Sequence, residues 1–270
     1  MKKKDVFVST IKGIITGISL WINNISIGSM LFSASSYENV IKGYSNINKK
    51  NNKELWYVCI PIMIGICLGL LGGFDLISYF YKKYNLQTNM LFIGFFIGGI
   101  RTIAKSQKLH INKKNAFIPL IIITISMMLI TLLESQTITI KNNLLNTLVI
   151  GIITGISVLI PSFTTLITNI KGGYSNVLNA LKISSLNDIL IILIFLLSFT
   201  LIIVIIAKII KLLLDKNKNN TYIAISSFVL LNAVILALQI KSFNISFVNI
   251  FTSILAFLWG YIFAKNVERE

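Results

Sequence analysis

The sequence predicts an all-α polytopic membrane protein built from two inverted-topology repeats. Each repeat is expected to hold one broken, re-entrant helical hairpin and three transmembrane helices. Three observations predict this class: a charge-poor composition, apolar stretches of spanning length, and a segment that occurs twice. Of the 270 residues, 55% are hydrophobic and only 13% are charged, whereas about a quarter of the residues in a soluble domain are charged. At roughly 20 residues per span, the chain leaves no room for a separate soluble domain.

The composition also limits the chemistry that the protein can perform. The chain has nine carboxylates, one histidine and two cysteines. A membrane phosphatase or glycosyltransferase would need such residues clustered near one depth, and the sequence contains no such cluster. We therefore expect no catalytic residues, no enzymatic activity, no metal site and no cofactor. The net charge of +16 is explained by loops that face the cytoplasm, so no nucleic-acid partner is expected.

A duplication organises the chain. The segment Gly13-Ile14-Ile15-Thr16-Gly17-Ile18-Ser19 recurs without change as residues 151–157, at an offset of 138. The segment Tyr37-Glu38-Asn39-Val40 corresponds to Tyr174-Ser175-Asn176-Val177 at an offset of 137. Two ordered matches at nearly one offset predict a first membrane repeat at 1–140 and a second at 141–270.

Six apolar stretches predict full transmembrane helices, because a helix satisfies its own backbone groups in lipid. They cover 55–81, 84–104 and 116–133 in the first repeat, and 188–213, 221–240 and 243–264 in the second. Ahead of each trio lies an uncharged repeated region, at 13–37 and at 143–170. Asn23-Asn24 interrupts the first region and Pro161-Ser162 interrupts the second. Each region is either one long span or a hairpin that returns to its own side.

The distribution of basic residues favours the hairpins. With single crossings, the 25 basic residues divide into 13 on one side and 12 on the other. With hairpins, 19 face the cytoplasm and 6 face outward, as the positive-inside rule requires. We therefore expect cytoplasmic termini and cytoplasmic loops at 42–53, 101–114 and 208–218. Three crossings separate the hairpins, so the second enters from outside and the repeats are inverted, as in many secondary transporters.

The two breaks are candidate substrate-binding sites. Broken helices at membrane depth leave backbone groups that need protein or a wet cavity, and helix N-termini suit anions. Hydroxyl and amide groups at the breaks can coordinate an anion without bringing charge into the bilayer. The alternative is that they only bond helix carbonyls or pack between helices. The candidate residues are Asn23, Asn24, Ser26, Gly28, Ser29, Pro161, Ser162, Thr164 and Thr165.

Three segments carry a resemblance to a known family. Residues 23–29 are followed by Tyr37-Glu38, residues 161–165 are followed by Gly172-Gly173-Tyr174, and residues 92–100 are rich in glycine. In these segments the chain resembles the polyprenyl-phosphate transporter family, formerly a membrane domain of unknown function. That family carries two motifs close to Pro-Gly-Val-Ser-Gly-Gly-Thr, each followed by a Gly-x-Tyr-Glu-like segment. This chain is divergent, because the first motif lacks Pro-Gly and the second lacks all its glycines.

The resemblance implies a bacterial plasma-membrane transporter for undecaprenyl phosphate, an anionic polyprenyl lipid. Such a protein returns the lipid from the outer to the cytoplasmic leaflet by alternating access. Whether transport is coupled to a proton or to a sodium ion stays open, and so does whether the protein forms a homo-oligomer. The alternatives are a transporter of another anionic or amphipathic substrate, or a non-transporting scaffold of the cell envelope. A groove that is open to lipid would favour the polyprenyl lipid as substrate, and a closed cavity would favour a soluble substrate. Packed hairpins without a cavity would favour the scaffold.

Four further ionisable residues are considered for the site. Three of them have a functional and a structural interpretation, and Asp188 has a structural interpretation alone. Arg101, where the family segment ends in proline, either contacts the phosphate from the cytoplasmic side or anchors a helix end. Asp75 follows several glycines and is either an ion-coupling site or an interfacial cap. Glu38 either takes part in ion coupling or pairs with Lys42. Asp188 is expected to begin its helix as a cap or first-turn acid.

Overall fold

The computed structural model describes residues 3–22, 25–110, 112, 115–134, 143–160, 180, 185–240 and 246–267. Within these ranges the chain forms α-helices and one short π-helical stretch, and it contains no strand. The first half contains α1 (Lys3–Ser19), α2 (Ile27–Ser33), α3 (Tyr37–Ser45), the π-helical stretch Leu55–Cys59, α4 (Ile60–Lys83), α5 (Asn85–Ser106) and α6 (Phe117–Glu134). The second half contains α7 (Asn143–Leu159), α8 (Leu186–Lys216), α9 (Lys218–Leu238) and α10 (Phe247–Val267).

Five helices are long and apolar enough to cross a membrane. They are Leu55–Lys83, Asn85–Ser106, Leu186–Lys216, Lys218–Leu238 and Phe247–Asn266, and they confirm five of the six predicted spans as helices. The sixth predicted span forms α6. The predicted bounds differ by a few residues, because lysines at the ends of α4 and α8 continue the helix with their charged groups in water. Ser185 and Asp188 form a capping box at the start of α8, which confirms the expected role of Asp188.

The first copy of the repeated segment packs against α4 through glycines. A Cβ atom at Gly13 would overlap the backbone of α4 at Gly65, and one at Gly17 would overlap it at Gly69. The contacts advance in the same direction along both helices, so α1 and α4 run parallel. Small residues at this spacing let two helix backbones approach closely, as in membrane helix pairs generally.

The second copy packs in the equivalent way. Gly151 of α7 contacts Ser198 of α8, and Gly155 contacts Ile202 one turn further on, so these helices are also parallel. Side-chain hydrogen bonds repeat as well. The hydroxyl of Ser19 donates to the carbonyl of Thr16, and that of Ser157 donates to the carbonyl of Thr154, both at 2.7 Å. The duplicated sequence therefore forms the same local structure twice.

The remaining long helices pair between the halves. Helix α5 packs on α10, and α9 packs on α6. In the first of these pairs, Gly94 contacts Phe257 and Gly98 contacts Tyr261, so α5 and α10 run parallel. The glycine-rich segment at 92–100 therefore provides the surface on which the last helix packs.

Several basic segments gather at one end of the molecule, which we call the basic end. Lys211 of α8 donates to Asn46, which follows α3, at 3.0 Å. His110, after α5, and Asn219, at the start of α9, exchange two hydrogen bonds at 2.9 and 3.0 Å. Lys12 of α1 lines one cavity with Gln107, the C-cap of α5. Because α5 and α10 are parallel, α10 also ends there.

The short helix α2 lies in the centre of the molecule. All its residues from Gly28 to Ser33 are buried, and Met30 and Phe32 are among the largest fully buried side chains. Its neighbours include α5, α7 and α9, so both halves surround it. A helix of seven residues is not stable alone, and burial among the longer helices therefore determines its conformation.

Candidate functional site

Both repeated regions contain a helix that stops within the depth of the molecule. Helix α1 ends at Ser19, and the Trp21 indole that follows donates to the Leu70 carbonyl of α4 at 3.0 Å. Helix α7 ends at Leu159, one turn after Gly155 contacts α8. In each case the parallel partner continues for about ten more residues, roughly 15 Å.

Both helices thus end a few residues before the predicted breaks, and the re-entrant hairpins stay a prediction because several predicted site residues lie outside the described residues. These are Asn23, Asn24, Pro161, Ser162, Thr164 and Thr165. The predicted residues that the structure does describe on the far side of the first break are Ser26, Gly28 and Ser29, all of them buried.

A buried polar cluster lies at the start of α2. It consists of Ser26, Ser29 and Asn232, each with no exposed surface. The two serine hydroxyls are 2.7 Å apart, and the Ser29 amide donates to the Ser26 hydroxyl at 3.1 Å as an N-cap. The Asn232 amide of α9 donates to the Ser29 hydroxyl and lies 3.5 Å from that of Ser26. The cluster thus joins the first broken helix to a long helix of the second half.

This cluster supplies neutral hydrogen-bonding groups at a depth where a full charge would be costly. Each serine hydroxyl can donate as well as accept, and the amide of Asn232 has two donor hydrogens. The amide nitrogen of the Asn232 side chain also donates to the Phe228 carbonyl, at 3.4 Å. Hydroxyl and amide donors of this kind can bind a phosphate oxygen that has lost its water.

Tyr37 connects the two breaks. It begins α3, is 2% exposed, and donates its hydroxyl to the carbonyl of Leu159 at 2.5 Å. Leu159 is the last residue of α7, and the final carbonyls of a helix have no partner inside the helix. The tyrosine of the repeated Tyr-x-Asn-Val segment therefore caps the broken helix of the opposite half.

Ser35 precedes this tyrosine in an unusual conformation. Its φ of +54° is in the left-handed region. The Ser35 amide donates to Phe32 and the Ser36 amide to Leu31, which is the Schellman pattern that ends α2. The family pattern has glycine at this position, and the repeat has Gly172 there at the 137-residue offset.

Glu38 is held by two donors at the basic end. Lys42 forms a salt bridge with one carboxylate oxygen at 2.8 Å, and the Tyr222 hydroxyl of α9 donates to the other at 2.5 Å. Partial burial raises the pKa of Glu38, but these hydrogen bonds and the nearby charges of Lys42 and Lys218 outweigh it and lower the pKa. The predicted pairing with Lys42 is confirmed, and an ion-coupling role stays a prediction.

A polar cavity of about 530 Å³ opens at the basic end. Three of the nine carboxylates of the chain line it, together with Lys12 and several hydroxyl and amide groups. Its charged and tyrosine lining residues are Asp5, Lys12, Glu38, Glu54, Tyr37 and Tyr222. The cavity gives water a route from the basic end to the region where α2 joins α3.

A second, mainly apolar cavity of about 460 Å³ lies on the other side of Tyr37. Its walls come from the end of α7, the last third of α8 and the first half of α9, and Lys216 is one of its lining residues. The apolar lining residues are Leu159, Ile160, Ile210, Leu213, Ala224, Ile225 and Phe228. Because Leu213 is 49% exposed, this cavity reaches the outer face of α8.

Two predicted residues lie apart from the polar cluster. The Arg101 side chain is exposed, donates to the Tyr261 hydroxyl of α10 at 2.6 Å and stacks near its ring. This contact fits the helix-anchor alternative, and the phosphate role stays a prediction. Asp75 is exposed on α4, so its ion-coupling role also stays a prediction.

The sequence analysis missed Asn232 and Tyr222, which complete the cluster and the Glu38 network. Both lie within a predicted span that was treated only as apolar. A signal for Asn232 was available, because an amide inside the run Phe228–Leu238 must find a partner in the bundle. Tyr222 gave no such signal, since tyrosine near a helix end is common at membrane interfaces.

A comparison with known protein families identifies the family of this chain. A family model described as VCA0040-like, undecaprenyl phosphate translocase-like, matches residues 22–249. This range includes the first break, the polar cluster, Tyr37 and most of the second half. No curated protein matches the chain, and no solved structure matches it. With its five apolar helices, the chain is a multi-pass membrane protein that belongs to the undecaprenyl phosphate translocase-like family.

Proposed function

We propose that the protein returns undecaprenyl phosphate from the outer to the cytoplasmic leaflet by alternating access. The phosphate binds between the two breaks, at the cluster of Ser26, Ser29 and Asn232. The observation that carries this proposal is the complete burial of three polar side chains at a helix break, in contact with both halves. Predicted residues of both breaks, Asn23, Asn24, Thr164 and Thr165, supply further donors, and Arg101 approaches from the cytoplasmic side.

The helix directions support inverted repeats. Helix α1 starts at the basic end and runs away from it, parallel to α4. Helix α7 runs parallel to α8. The last turns of α8 lie at the basic end, where Lys211 donates to Asn46, so α7 runs toward that end. Equivalent broken helices therefore point in opposite directions, as two inverted repeats at 1–140 and 141–270 require.

The gathering of basic segments supports the predicted orientation. The start of α1, the α3–α4 and α5–α6 connections, the α8–α9 connection and the end of α10 share one end, and they hold most of the 25 basic residues. The positive-inside rule makes this the cytoplasmic end. Both cavities are lined by residues of this end, Lys12 in one and Lys216 in the other, which supports a conformation in which the lipid leaves toward the cytoplasm.

The cavities favour a lipid substrate over the alternatives. A scaffold needs no cavity between its hairpins, and a soluble substrate needs a closed one. Here an apolar cavity reaches the exposed side chain of Leu213, so an acyl or prenyl chain can enter it from the membrane. A phosphate can then occupy polar groups while its chain stays in apolar surroundings.

The binding site is tested by removing the cluster as a unit. The triple variant Ser26→Ala, Ser29→Ala and Asn232→Leu removes the three polar side chains together. Because Ser26→Ala also removes the N-cap acceptor of the Ser29 amide, we expect a loss of about 1 kcal/mol in the free energy of unfolding, and binding is compared in the folded variant. We expect undecaprenyl phosphate to bind at least about tenfold more weakly, since a hydrogen bond to a charged group contributes about 1.5–3 kcal/mol. The matched control is Ser227→Ala on α9, a buried hydroxyl that donates only to the Ile223 carbonyl at 2.7 Å.

Binding is measured on nanodiscs, and transport in proteoliposomes with a leaflet-resolved assay of the lipid. The proposal predicts net movement toward the leaflet at the basic end in the wild type and the control, and loss of it in the triple variant. Unchanged binding and transport in a folded triple variant would reject this site. Cysteines introduced at Lys50 and Lys216, with Cys59 and Cys67 replaced, test orientation, and labelling from opposite sides would contradict it.

A further inference from the structure

We propose that the apolar cavity between α7, α8 and α9 is the binding site for the isoprene units next to the phosphate. The inference rests on the proposed function and adds the part of the protein that recognises the prenyl chain. The cavity lies next to the polar cluster, because Phe228 lines it and the carbonyl of Phe228 accepts from Asn232. A lipid with its phosphate at Asn232 therefore has its first isoprene units at Phe228.

The walls have the chemistry that an unsaturated, branched hydrocarbon requires. Ile210, Ile225 and Phe228 present branched and aromatic surfaces on two helices, and Leu159 closes the inner end. Because the prenyl chain comes from the bilayer, where it is already in apolar surroundings, these walls recognise it through van der Waals packing and shape. The volume of about 460 Å³ is within the usual range for small-ligand pockets, so it holds a few isoprene units and not the whole chain.

The mouth determines which way the chain leaves. Leu213 is 49% exposed on the outer face of α8, so the rest of the prenyl chain can pass from the cavity into the bilayer. Lys216, Asn217 and Asn220 form a polar rim at the basic end of the same cavity. This rim can hold the phosphate when it has moved to the cytoplasmic interface, while the prenyl chain remains in the cavity.

Tyr37 separates this cavity from the polar one, since it lines both. The two compartments thus have opposite character on either side of one buried ring, as an amphipathic lipid requires. Diacyl lipids carry two chains on one headgroup, and a cavity of this volume favours one chain. The apolar cavity is therefore a specificity site for single-chain polyprenyl phosphates.

The test fills the cavity without touching the polar cluster. Ala224 lines the cavity and is only partly buried, so Ala224→Trp adds a ring to the cavity with little overpacking. The matched control is Leu238→Trp, at an exposed position of the same helix. We expect Ala224→Trp to weaken undecaprenyl phosphate binding in nanodiscs at least about tenfold and to leave inorganic phosphate binding, followed by phosphorus NMR, unchanged.

The triple cluster variant gives a different result. It is expected to weaken both probes, because it removes the groups that bind the phosphate. Loss of undecaprenyl phosphate binding in Ala224→Trp, with no effect of the triple variant, would keep the prenyl site and reject the phosphate site. Equal binding by Ala224→Trp and Leu238→Trp would overturn the prenyl site.

A second measurement uses the unmodified protein. An undecaprenyl phosphate analogue with a photoreactive group on its first isoprene units is expected to label α8 near Ile210 and Leu213, and α9 near Ile225 and Phe228. Excess unlabelled undecaprenyl phosphate should remove this labelling, whereas a diacyl phosphatidate should not. Labelling confined to exposed side chains such as Leu71 of α4 would contradict the assignment.

Discussion

The two copies of the repeated seven-residue segment form helix pairs that differ in their partners. In the first half, Gly13 and Gly17 meet Gly65 and Gly69, and the atoms that a Cβ at Gly65 would meet belong to the backbone of α1. In the second half, Gly151 meets the side chain of Ser198, and Gly155 meets that of Ile202. An identical motif therefore meets backbone atoms most closely in one half. In the other half the side chains of Ser198 and Ile202 are nearest, and a Cβ at Gly151 or Gly155 would also meet the carbonyl of Phe195 or Phe199 at 3.0 or 2.9 Å.

The difference shows which helix pair can move. Backbone atoms in contact cannot yield, whereas a serine or isoleucine side chain can change rotamer. The α1–α4 pair is therefore expected to be the more rigid of the two, and the α7–α8 pair can adjust more because the side chains of Ser198 and Ile202 are its nearest contacts. The apolar cavity lies at the end of the adjustable pair, where a change of shape would open or close it.

The largest effect is expected from a substitution in the interface between α1 and α4. Gly65→Ala forces a methyl group against the Thr10 carbonyl and the Gly13 Cα, so we expect a loss of at least about 2 kcal/mol in the free energy of unfolding. Gly151→Ala meets the hydroxyl of Ser198 first and the Phe195 carbonyl at 3.0 Å, so it should cost less than Gly65→Ala, about 1 kcal/mol. Thermal unfolding of the two variants in detergent measures the difference. Equal losses would mean that the two interfaces are equally rigid.

The next effect concerns the bond that joins the halves. Tyr37→Phe removes the hydroxyl that caps the Leu159 carbonyl, and we expect a loss of about 1–2 kcal/mol together with slower transport. The control is Tyr44→Phe, whose hydroxyl contacts the Met63 sulfur at an exposed position. If both phenylalanine variants keep wild-type stability and transport, the bond does not couple the halves.

A smaller effect, of opposite sign, compares the two segments before the tyrosines. Ser35 has a positive φ, whereas the second half has glycine at the equivalent position 172. Ser35→Gly relieves the left-handed strain and should stabilise the protein by about 0.5–1 kcal/mol, measured as a higher Tm. Ser36→Gly, next to it with a φ of −105°, should give no gain. A lower Tm for Ser35→Gly would contradict the strain assigned to this residue.

The smallest effect concerns pH. Glu38 has Ser175 at the equivalent position, so only the first half carries this carboxylate. The folded-state pKa of Glu38 is lowered from 4.5, so its contribution to stability is present above about pH 4.5 and is lost as the pH falls through the folded-state value. Glu38→Gln should remove part of the acid sensitivity of the Tm. Identical pH profiles for wild type and variant would show that Lys42 and Tyr222 do not stabilise the carboxylate.

Much of the architecture could be predicted from the sequence. Apolar length determined the spans, because backbone groups in lipid must bond within a helix, and the repeat with its Asn23-Asn24 interruption located the first break. The uncharged repeated region begins at Gly13, whereas α1 begins at Lys3 and includes Lys12. In the structure Lys12 lines the polar cavity, together with Asp5 and Glu54.

The candidate site could be predicted only in part. Ser26, Gly28 and Ser29 follow from the break itself, because small polar residues there have few roles besides capping and binding. Asn232 and Tyr222 are more than 180 residues away from their partners Ser29 and Glu38, and no local pattern relates positions at that separation. They became part of the site when α9 packed on α2 and α5.

The sequence by itself determined the class, five of the apolar spans and the duplication, because hydrophobicity and local backbone chemistry act over short stretches of chain. Only the tertiary structure decided that Gly13 meets Gly65 while Gly151 meets Ser198, that Tyr37 caps Leu159, and that Asn232 completes the serine cluster. These contacts depend on the crossing points of helices from different repeats. Crossing points follow from the sum of many packing interactions, which no single segment of the chain specifies.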